Sequence, residues 1–411
     1  MSMTGRANSE TIDRTTPLPR GGSAASGWGA VLALTLCVST LIASEFMPVS
    51  ILTPIASDLH LTEGTAGQAI SVSGLFAVLT SLTISSLTAG IDRRVVLLGL
   101  TVLMLLSGLL VTFAPSFAVL MAGRALLGIV IGGFWSMSAA TVMRLVPKDQ
   151  VPGALAMLNG GNALATTLAA PLGSFLGQLI GWRGAFFVVV PLAAVTFAWQ
   201  WLTLPAMPSD RSSRGASALG VLRRPLAKGG MAAVAMLFMG QFALFTYIRP
   251  FLENVTQVSV PVLSLILLAM GGAGLAGTWL IGRIVAMSLS ATLILAPLAL
   301  AAIALCLVFV GAMPGPTATL LVAWGLVGTA VPVAWWTWLS RTLPEDAEAG
   351  GGLMVAVIQL AITTGTAGGG FLFDAAGYRA TFAMAAALLG ASALLGVLCA
   401  RRTADTARSV H

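Results

Sequence analysis

Long apolar stretches alternate with short polar segments along nearly the whole chain. Each apolar stretch is close to the length, about 20 residues, that an α-helix needs to cross a bilayer. Strands with open edges would leave backbone groups unpaired in lipid, so these stretches predict helices. The predicted spans cover residues 28–56, 66–90, 95–114, 117–143, 152–180, 184–203, 230–251, 260–282, 289–312, 317–340, 351–374 and 379–399. The pattern therefore predicts an all-α integral membrane protein with twelve transmembrane helices.

Composition supports lipid as the solvent for most of this surface. Of the 411 residues, 57% are hydrophobic and only 9% are charged, whereas a soluble domain carries about 25% charged residues. The mean hydropathy is +0.95. A soluble fold of this size has too little interior to bury so much apolar surface, so a soluble enzyme or binding module is excluded.

Basic residues predict the orientation of the spans, because Lys and Arg concentrate in cytoplasmic loops. With the N-terminus inside, three outer positions are basic (Arg183, Arg249 and Arg379), Arg124 lies within a span, and the other 17 of the 21 basic residues are cytoplasmic. We therefore expect both termini in the cytoplasm. The net charge of +7 follows from this bias, and no nucleic-acid partner is predicted.

The chain divides into two related halves. Residues 204–229 form the longest polar segment. They separate a half at 28–203 from a half at 230–400, with cytoplasmic tails at 1–27 and 401–411. Arg144-Leu-Val-Pro-Lys-Asp recurs as Arg341-Thr-Leu-Pro-Glu-Asp, and Gly181-Trp-Arg-Gly-Ala-Phe recurs as Gly377-Tyr-Arg-Ala-Thr-Phe. Two parallel six-span repeats with a site between them at the membrane midplane are the expected arrangement.

Several motifs resemble the drug:proton antiporter group of the major facilitator superfamily. They are Ser-Glu-Phe-Met-Pro at 44–48, Gly-Arg-Ala-Leu-Leu-Gly at 123–128 and Ala-Pro-Leu-Gly at 170–173. Longer stretches at 61–68, 132–138, 170–177 and 341–360 are similar to bacterial purine ribonucleoside efflux pumps. The resemblance implies the major facilitator fold, a location in the bacterial inner membrane, and export of inosine or guanosine, driven by inward proton flow. It departs from the group at Ala170, where the motif has Gly, and in the incomplete signature after Asp92 and Arg93.

Two charges lie deep within predicted spans, Glu45 and Arg124. A charge at the bilayer centre costs about 2.5–3.5 kcal/mol on insertion scales, so such residues are functional candidates. Glu45 is our candidate proton carrier. Arg124 keeps its proton under all ordinary conditions, and it either tunes Glu45, binds the solute or braces backbone carbonyls.

Amides and aromatic rings are the candidates for solute recognition, because purines offer hydrogen-bonding edges and stacking faces. We predict Asn159, Asn162, Gln241, Gln359, Phe134 and Trp135 as substrate-binding residues, with helix–helix bonding and packing as their alternatives. Trp335, Trp336 and Trp338 lie near an inner span end, where they favour an interfacial belt. Pro171 removes one helix bond and predicts a kink. With Gly173, Asp92 and Arg93 it forms the candidate gating set.

Other chemistries find no support in the pattern. Cys37, Cys306 and Cys399 form no CxxC pair, and neither His60 nor His411 lies within a span, so no metal, disulfide, cofactor or enzyme site is predicted. Export of a sugar or a drug by the same fold is the alternative function. The expected partners are a small-molecule substrate, protons and the lipid bilayer, and we expect a monomer.

Overall fold

The computed structural model describes residues 24–88, 90–147, 149–208, 225–342 and 347–408, and helices joined by short turns make up these ranges. Most of the predicted N-terminal tail, most of the predicted linker and the last residues of the C-terminal tail lie outside them. The N-terminal half contains seven helices within the described ranges: α1 (Ala24–Ser50), α2 (Leu52–Asp58), α3 (Glu63–Leu87), α4 (Arg93–Thr112), α5 (Phe117–Leu145), α6 (Val151–Phe187) and α7 (Val189–Thr203).

The C-terminal half repeats this order. Its helices, again within the described ranges, are α8 (Pro225–Phe245), α9 (Ile248–Asn254), α10 (Val260–Met287), α11 (Leu289–Val310), α12 (Pro314–Gly328), α13 (Val331–Thr342) and α14 (Ala347–Arg408). Helix α8 begins five residues before the predicted start at 230, and α14 continues past the predicted end at 399.

Ten apolar helical runs in the described residues are long enough to span a membrane, and two of them are 51 residues long. At 1.5 Å per residue, a run of that length extends about 77 Å, more than twice the hydrocarbon thickness. Each long run leaves helical geometry once, at Gly181 (φ 73°, ψ 167°) and at Gly377 (φ 75°, ψ −178°). Each run therefore supplies two spans, and the predicted twelve are confirmed in the described part of the chain.

The two breaks occupy equivalent places in the sequence repeat. The combination of φ near +75° with extended ψ is essentially restricted to glycine. A side chain would meet no atom within 4 Å at either position. Backbone conformation, and not space, therefore requires glycine at Gly181 and Gly377.

Helix packing follows the same symmetry. Within the N-terminal half α1 packs on α6 and α3 on α5, and the equivalent pairs in the C-terminal half are α8 on α14 and α10 on α12. Between the halves, α3 packs on α14 and α6 packs on α10. The second span thus meets the eleventh and the fifth meets the eighth, which are pairs that exchange when the halves are swapped. The contact between the halves therefore has the same pseudo-two-fold symmetry as the sequence repeat.

The predicted first span, 28–56, is wrong in one respect, because α1 ends at Ser50 and a separate helix begins at Leu52. Pro54 has no N–H to donate to the Ser50 carbonyl, so the helical hydrogen bond at that point is missing. The predicted tryptophan belt is also wrong for two of its members. Trp335 and Trp338 are 1% and 6% exposed and pack edge to face at 5.5 Å, because α13 turns them into the bundle.

Candidate functional site

Glu45 lies on α1 at the boundary between the two halves. It is 4% exposed, and the Nε2 of Gln359 on α14 lies 3.5 Å from its Oε1. Gln359 is also buried, and its own Oε1 has no hydrogen-bond partner among the described residues. Two of the predicted site residues, 314 positions apart, are thus brought together. A buried carboxylate on one half faces an amide on the other.

Arg124 on α5 is fully buried beside Glu45. Its Nε donates to the Ala69 carbonyl at 2.9 Å and its NH1 to the Ser44 carbonyl at 2.8 Å. Its NH2 donates to the backbone carbonyl of Glu45 at 3.2 Å and to the Ser73 hydroxyl at 3.0 Å. The guanidinium therefore ties α5 to α1 and α3 through their backbones, and the geometry favours the bracing alternative.

An interhalf aromatic cluster includes Phe46, the residue that follows Glu45 on α1. It consists of Phe46 on α1 and Phe238, Phe242 and Phe245 on α8. The Phe46 ring stacks on Phe242 with centroids 5.8 Å apart and meets the edge of Phe245 at 6.3 Å. Phe46 and Phe245 are half-buried. The cluster is absent from the predicted site, although the 238, 242, 245 spacing on one helix face and the position of Phe46 next to Glu45 were signals for it.

The predicted asparagines lie on the side of α6 opposite the exposed Leu164. Asn159 is exposed, and its Nδ2 donates to the Leu155 carbonyl of its own helix at 2.9 Å. Leu164 is 52% exposed and marks the lipid-facing side. At about 100° per residue, Asn159 and Asn162 lie roughly 140° and 160° around the helix from it. Both amides therefore face away from lipid.

The other predicted recognition residues lie inside single halves. Gln241 on α8 donates through Nε2 to the Gly328 carbonyl at 3.1 Å, and its Oε1 is buried without a partner in the described ranges. Phe134 is 1% exposed in the core of the N-terminal half. It meets the half-buried Trp135 edge to face at 6.0 Å. Phe134 thus packs between helices and leaves no ring face open in this arrangement.

The candidate gating residues make local contacts. Asp92 caps α4 by accepting from the Arg94 N–H at 2.8 Å, and it also accepts from the Met207 N–H. The Arg93 N–H donates to the Met207 carbonyl at 3.1 Å. The segment after α7 is thereby held on the loop between α3 and α4. Asp92 and the Arg93 backbone N–H thus join two parts of the N-terminal half.

Pro171 and Gly173 lie where α6 crosses α1. Helix α6 continues through Pro171, and its backbone departs from helical angles at Gly181 instead. A side chain at Gly173 would lie 2.3 Å from the Ser50 hydroxyl. Gly173 therefore permits close approach of the two helices.

From the level of Glu45 to the outer ends of the spans, the halves are joined by a set of hydrogen bonds that we call the outer seal. In the predicted orientation these span ends face away from the cytoplasm. Thr62 and the Gly64 N–H donate to Asp374, at 2.6 and 3.0 Å. Ser71 donates to the Thr363 carbonyl at 3.2 Å. Further bonds link Ser174 to Ser264 at 2.8 Å and to Arg249 at 3.5 Å, and Arg249 to the Ser50 carbonyl.

Arg249, which the sequence prediction counted among the outer loops and adjoining span ends, is buried in the structure. It is 4% exposed and pairs with Glu253, whose carboxylate lies 2.7 Å away. Buried charge in the spans is therefore not confined to Glu45 and Arg124. The prediction missed this pair because the neighbouring helices decide whether a residue near the end of a span is buried or in contact with water. The local sequence does not specify how those helices pack.

One ion pair lies outside the spans and within one half. The Arg183 NH1 lies 2.5 Å from Asp58 Oδ2, and this hydrogen bond lowers the pKa of the Asp58 carboxyl. Both side chains are more than one-third exposed. The pair fastens α2 to the break at Gly181 and takes no part in the contact between halves.

Comparisons with known proteins agree with this architecture. The sequence profile of the family described as Major Facilitator Superfamily matches residues 32–356. The transcription regulatory protein OpdE of Pseudomonas aeruginosa is 55% identical over 92% of this chain and 95% of its own length. The purine ribonucleoside efflux pump NepI of Salmonella typhimurium is 42% identical over 91% of this chain and 94% of its own.

A solved structure shares the fold. A bacterial homologue of the human lysosomal transporter Spinster, in an inward-facing and occupied conformation, has a TM-score of 0.71 at 16% sequence identity. The match covers 90% of this chain and 96% of that one. At this identity the likeness shows the arrangement of helices alone.

Proposed function

Since the chain belongs to the Major Facilitator Superfamily, we propose that it exports purine ribonucleosides, such as inosine and guanosine, in exchange for protons. The family and the multi-pass fold make it a membrane transporter with efflux-pump relatives. Proton coupling, the solute, the inner-membrane location with both termini in the cytoplasm, the monomeric state and the limits of the two halves and the linker are parts of the proposal.

The contact between Glu45 and Gln359 carries the proton-coupling part. A carboxylate removed from water bears a large desolvation cost, which a proton cancels. The Glu45 side chain is buried against the opposite half in this arrangement. When the halves separate, the same side chain regains solvent, and the free energy of its charged form falls. Its protonation is thereby linked to the relative position of the halves.

The interhalf aromatic cluster supports a flat solute. Phe46 and Phe242 belong to different halves and stack on one another, so a ring inserted between them would contact both halves at once. Stacking of a base on an aromatic side chain contributes about 1–3 kcal/mol. The 42% identity with a purine ribonucleoside efflux pump points to the same solute class, with Asn159, Asn162, Gln241 and Gln359 as proposed hydrogen-bonding partners.

The test is transport into inverted membrane vesicles with an imposed proton gradient. Labelled inosine, arabinose and a cationic dye are compared, with a protonophore as the control for the gradient. We expect inosine to accumulate and the other two to stay at equilibrium. Accumulation of arabinose or the dye instead would favour the alternative function, a sugar or drug exporter. If none of the three accumulates, the proposed solute class is wrong.

Glu45→Gln tests the coupling. This variant keeps the shape of the side chain but binds no proton, so gradient-driven accumulation should be lost while exchange of labelled for unlabelled inosine persists. Asp58→Asn makes the same chemical change outside the spans and should transport normally. Gradient-driven accumulation with wild-type pH dependence in Glu45→Gln would rule out Glu45 as the proton carrier.

The regulatory name of the 55% identical relative describes that protein. An exporter can alter transcription by lowering the cytoplasmic concentration of an effector, so the name is compatible with transport. The vesicle assay separates the two ideas, because it contains neither DNA nor a transcription apparatus.

A further inference from the structure

The Ser50 carbonyl is released from the helical hydrogen-bond ladder by the sequence of α1 and α2. In an α-helix this carbonyl would accept from the N–H four residues later, but that residue is Pro54. Helix α1 ends at Ser50, and the chain resumes as α2 at Leu52. The residue itself is fully buried. A buried carbonyl of the N-terminal half therefore needs another donor.

Arg249 of the C-terminal half supplies this donor. Its NH1 donates to the Ser50 carbonyl and lies 3.5 Å from the Ser174 hydroxyl, both in the N-terminal half. Ser174 also accepts from Ser264 of the C-terminal half at 2.8 Å. The guanidinium thus crosses between halves and satisfies backbone that would otherwise be unpaired. Among the contacts of the outer seal, it is the one that inserts a buried positive charge.

Glu253 neutralises this charge. It lies one helical turn after Arg249 on α9, and its Oε1 is 2.7 Å from Arg249 NH2. Its Oε2 is buried and has no hydrogen-bond partner within the described ranges. A proton can therefore add to Oε2 without breaking an existing hydrogen bond. Protonation would leave the guanidinium buried without a counter-charge, which is strongly unfavourable.

We infer that Glu253 is a second proton-binding site, distinct from Glu45, and that its protonation opens the outer seal. With Glu253 ionised, Arg249 is neutralised and can stay inserted against Ser50. With Glu253 protonated, the free energy of the guanidinium is lower in solvent than in its buried position. It therefore withdraws, and the halves separate on that side. Acid on the outer face would therefore favour the state that is open to it. This inference concerns the seal and does not depend on which solute is carried.

Other charged or titratable groups on the elements around α9 have partners or positions of their own. Asp58 on α2 is engaged by Arg183 at the end of α6, and Glu45 on α1 faces Gln359. Arg283 on α10 is exposed near the opposite end of its helix. The remaining groups are Tyr247, before α9, and Tyr378, Arg379 and Asp374 on α14. Arg249 is the group in direct ionic contact with Glu253.

A cysteine reporter in the seal tests the inference. Ser71 is 5% exposed and bonds across the halves, so a thiol there is protected while the seal is closed. Ser71→Cys is placed in a background with Cys37, Cys306 and Cys399 replaced by alanine. A membrane-impermeant maleimide is then added to right-side-out vesicles over a range of external pH. Met313→Cys, at a 55% exposed outer position, corrects for the pH dependence of the thiol reaction.

We expect corrected labelling of Ser71→Cys to increase as external pH falls. Glu253→Gln should label about tenfold faster or more at neutral pH, with no further increase in acid, because one partner of a buried ion pair is lost. Asp58→Asn, which breaks an ion pair within one half, should keep the profile of the parent. Wild-type rates and pH response in Glu253→Gln would overturn the inference.

The double variant Arg249→Met with Glu253→Gln removes both charges and keeps the test decisive if the single variant does not insert. It should label at a rate independent of pH. A pH response that survives in the double variant would assign the effect to another group and overturn the inference. Because labelling requires no solute, failure here leaves the proposed export of nucleosides untouched, and failure of export leaves this result intact.

Discussion

The four hydrogen bonds of Arg124 make a sharp prediction for Arg124→Lys, a change that keeps the charge. The guanidinium donates four hydrogen bonds, to three backbone carbonyls and one hydroxyl on two other helices. A lysine ammonium is a point charge with three donors and lacks the planar fork of arginine. From one position it can reach about two of these acceptors. The others stay buried without a donor.

The magnitude follows from those lost bonds. A hydrogen bond from a charged donor contributes about 1.5–3 kcal/mol, and bonds that share one group are not additive. Losing two of the four should lower the free energy of unfolding by about 2–5 kcal/mol. Arg341→Lys is the matched control, because Arg341 is exposed and exposed substitutions usually change stability by less than about 0.5 kcal/mol.

Unfolding in mixed detergent micelles measures the stability, and the inverted-vesicle assay measures the pH profile of the fraction that remains folded. We expect Arg124→Lys to lose stability and keep the pH dependence of transport. Glu45→Gln should keep the stability of the parent and lose the pH dependence of transport. If Arg124→Lys is as stable as the parent and shifts the pH profile, the guanidinium acts on the Glu45 carboxylate and the bracing argument is refuted.

Further predictions test the helix break at Gly181, the ion pair between Asp58 and Arg183, and the interhalf aromatic cluster. Gly181→Ala should cost about 1–3 kcal/mol of unfolding free energy because of its positive φ, whereas Gly99→Ala, in open helical surroundings, should be neutral or slightly stabilising in the same micelle assay. Asp58→Asn should lower stability by no more than about 1 kcal/mol at neutral pH; since the pKa of Asp58 is lowered in the fold, the deficit should shrink as pH falls through that lowered pKa, and a deficit that grows in acid would contradict this. Phe242→Leu should raise the KM for inosine by about fivefold or more through lost stacking, while Phe134→Leu should leave KM unchanged; equal effects would remove the cluster from the solute site.

Local features of the sequence were sufficient to predict the membrane-spanning helices. A span is recognised by its length and apolarity, and these depend on the residues of the span alone. The repeat was also readable, because Gly181 and Gly377 meet the same backbone requirement in both halves. The Glu45 candidate followed from the cost of burying a charge in lipid. None of these inferences needed a partner residue.

The other features of the site depend on contacts between residues that are far apart in the sequence. Gln359 reaches Glu45 from 314 residues away, and Arg249 reaches Ser50 from 199 residues away. Pro54 leaves the Ser50 carbonyl without its helical donor, and the donor that replaces it comes from the other half. Arg124 could be placed in a span from the sequence, whereas its choice of backbone carbonyls depends on how α1, α3 and α5 cross.

The aromatic residues show why the interior could not be read from the pattern. Phe134 is 1% exposed inside the bundle, and Phe175 is 52% exposed on its outer surface, yet both belong to predominantly apolar helices. In water, the hydrophobic effect separates inward from outward faces and leaves a periodic signal. In a bilayer the surrounding lipid is as apolar as the core, so that signal fades. Which rings face the opposite half is then decided by helix packing alone.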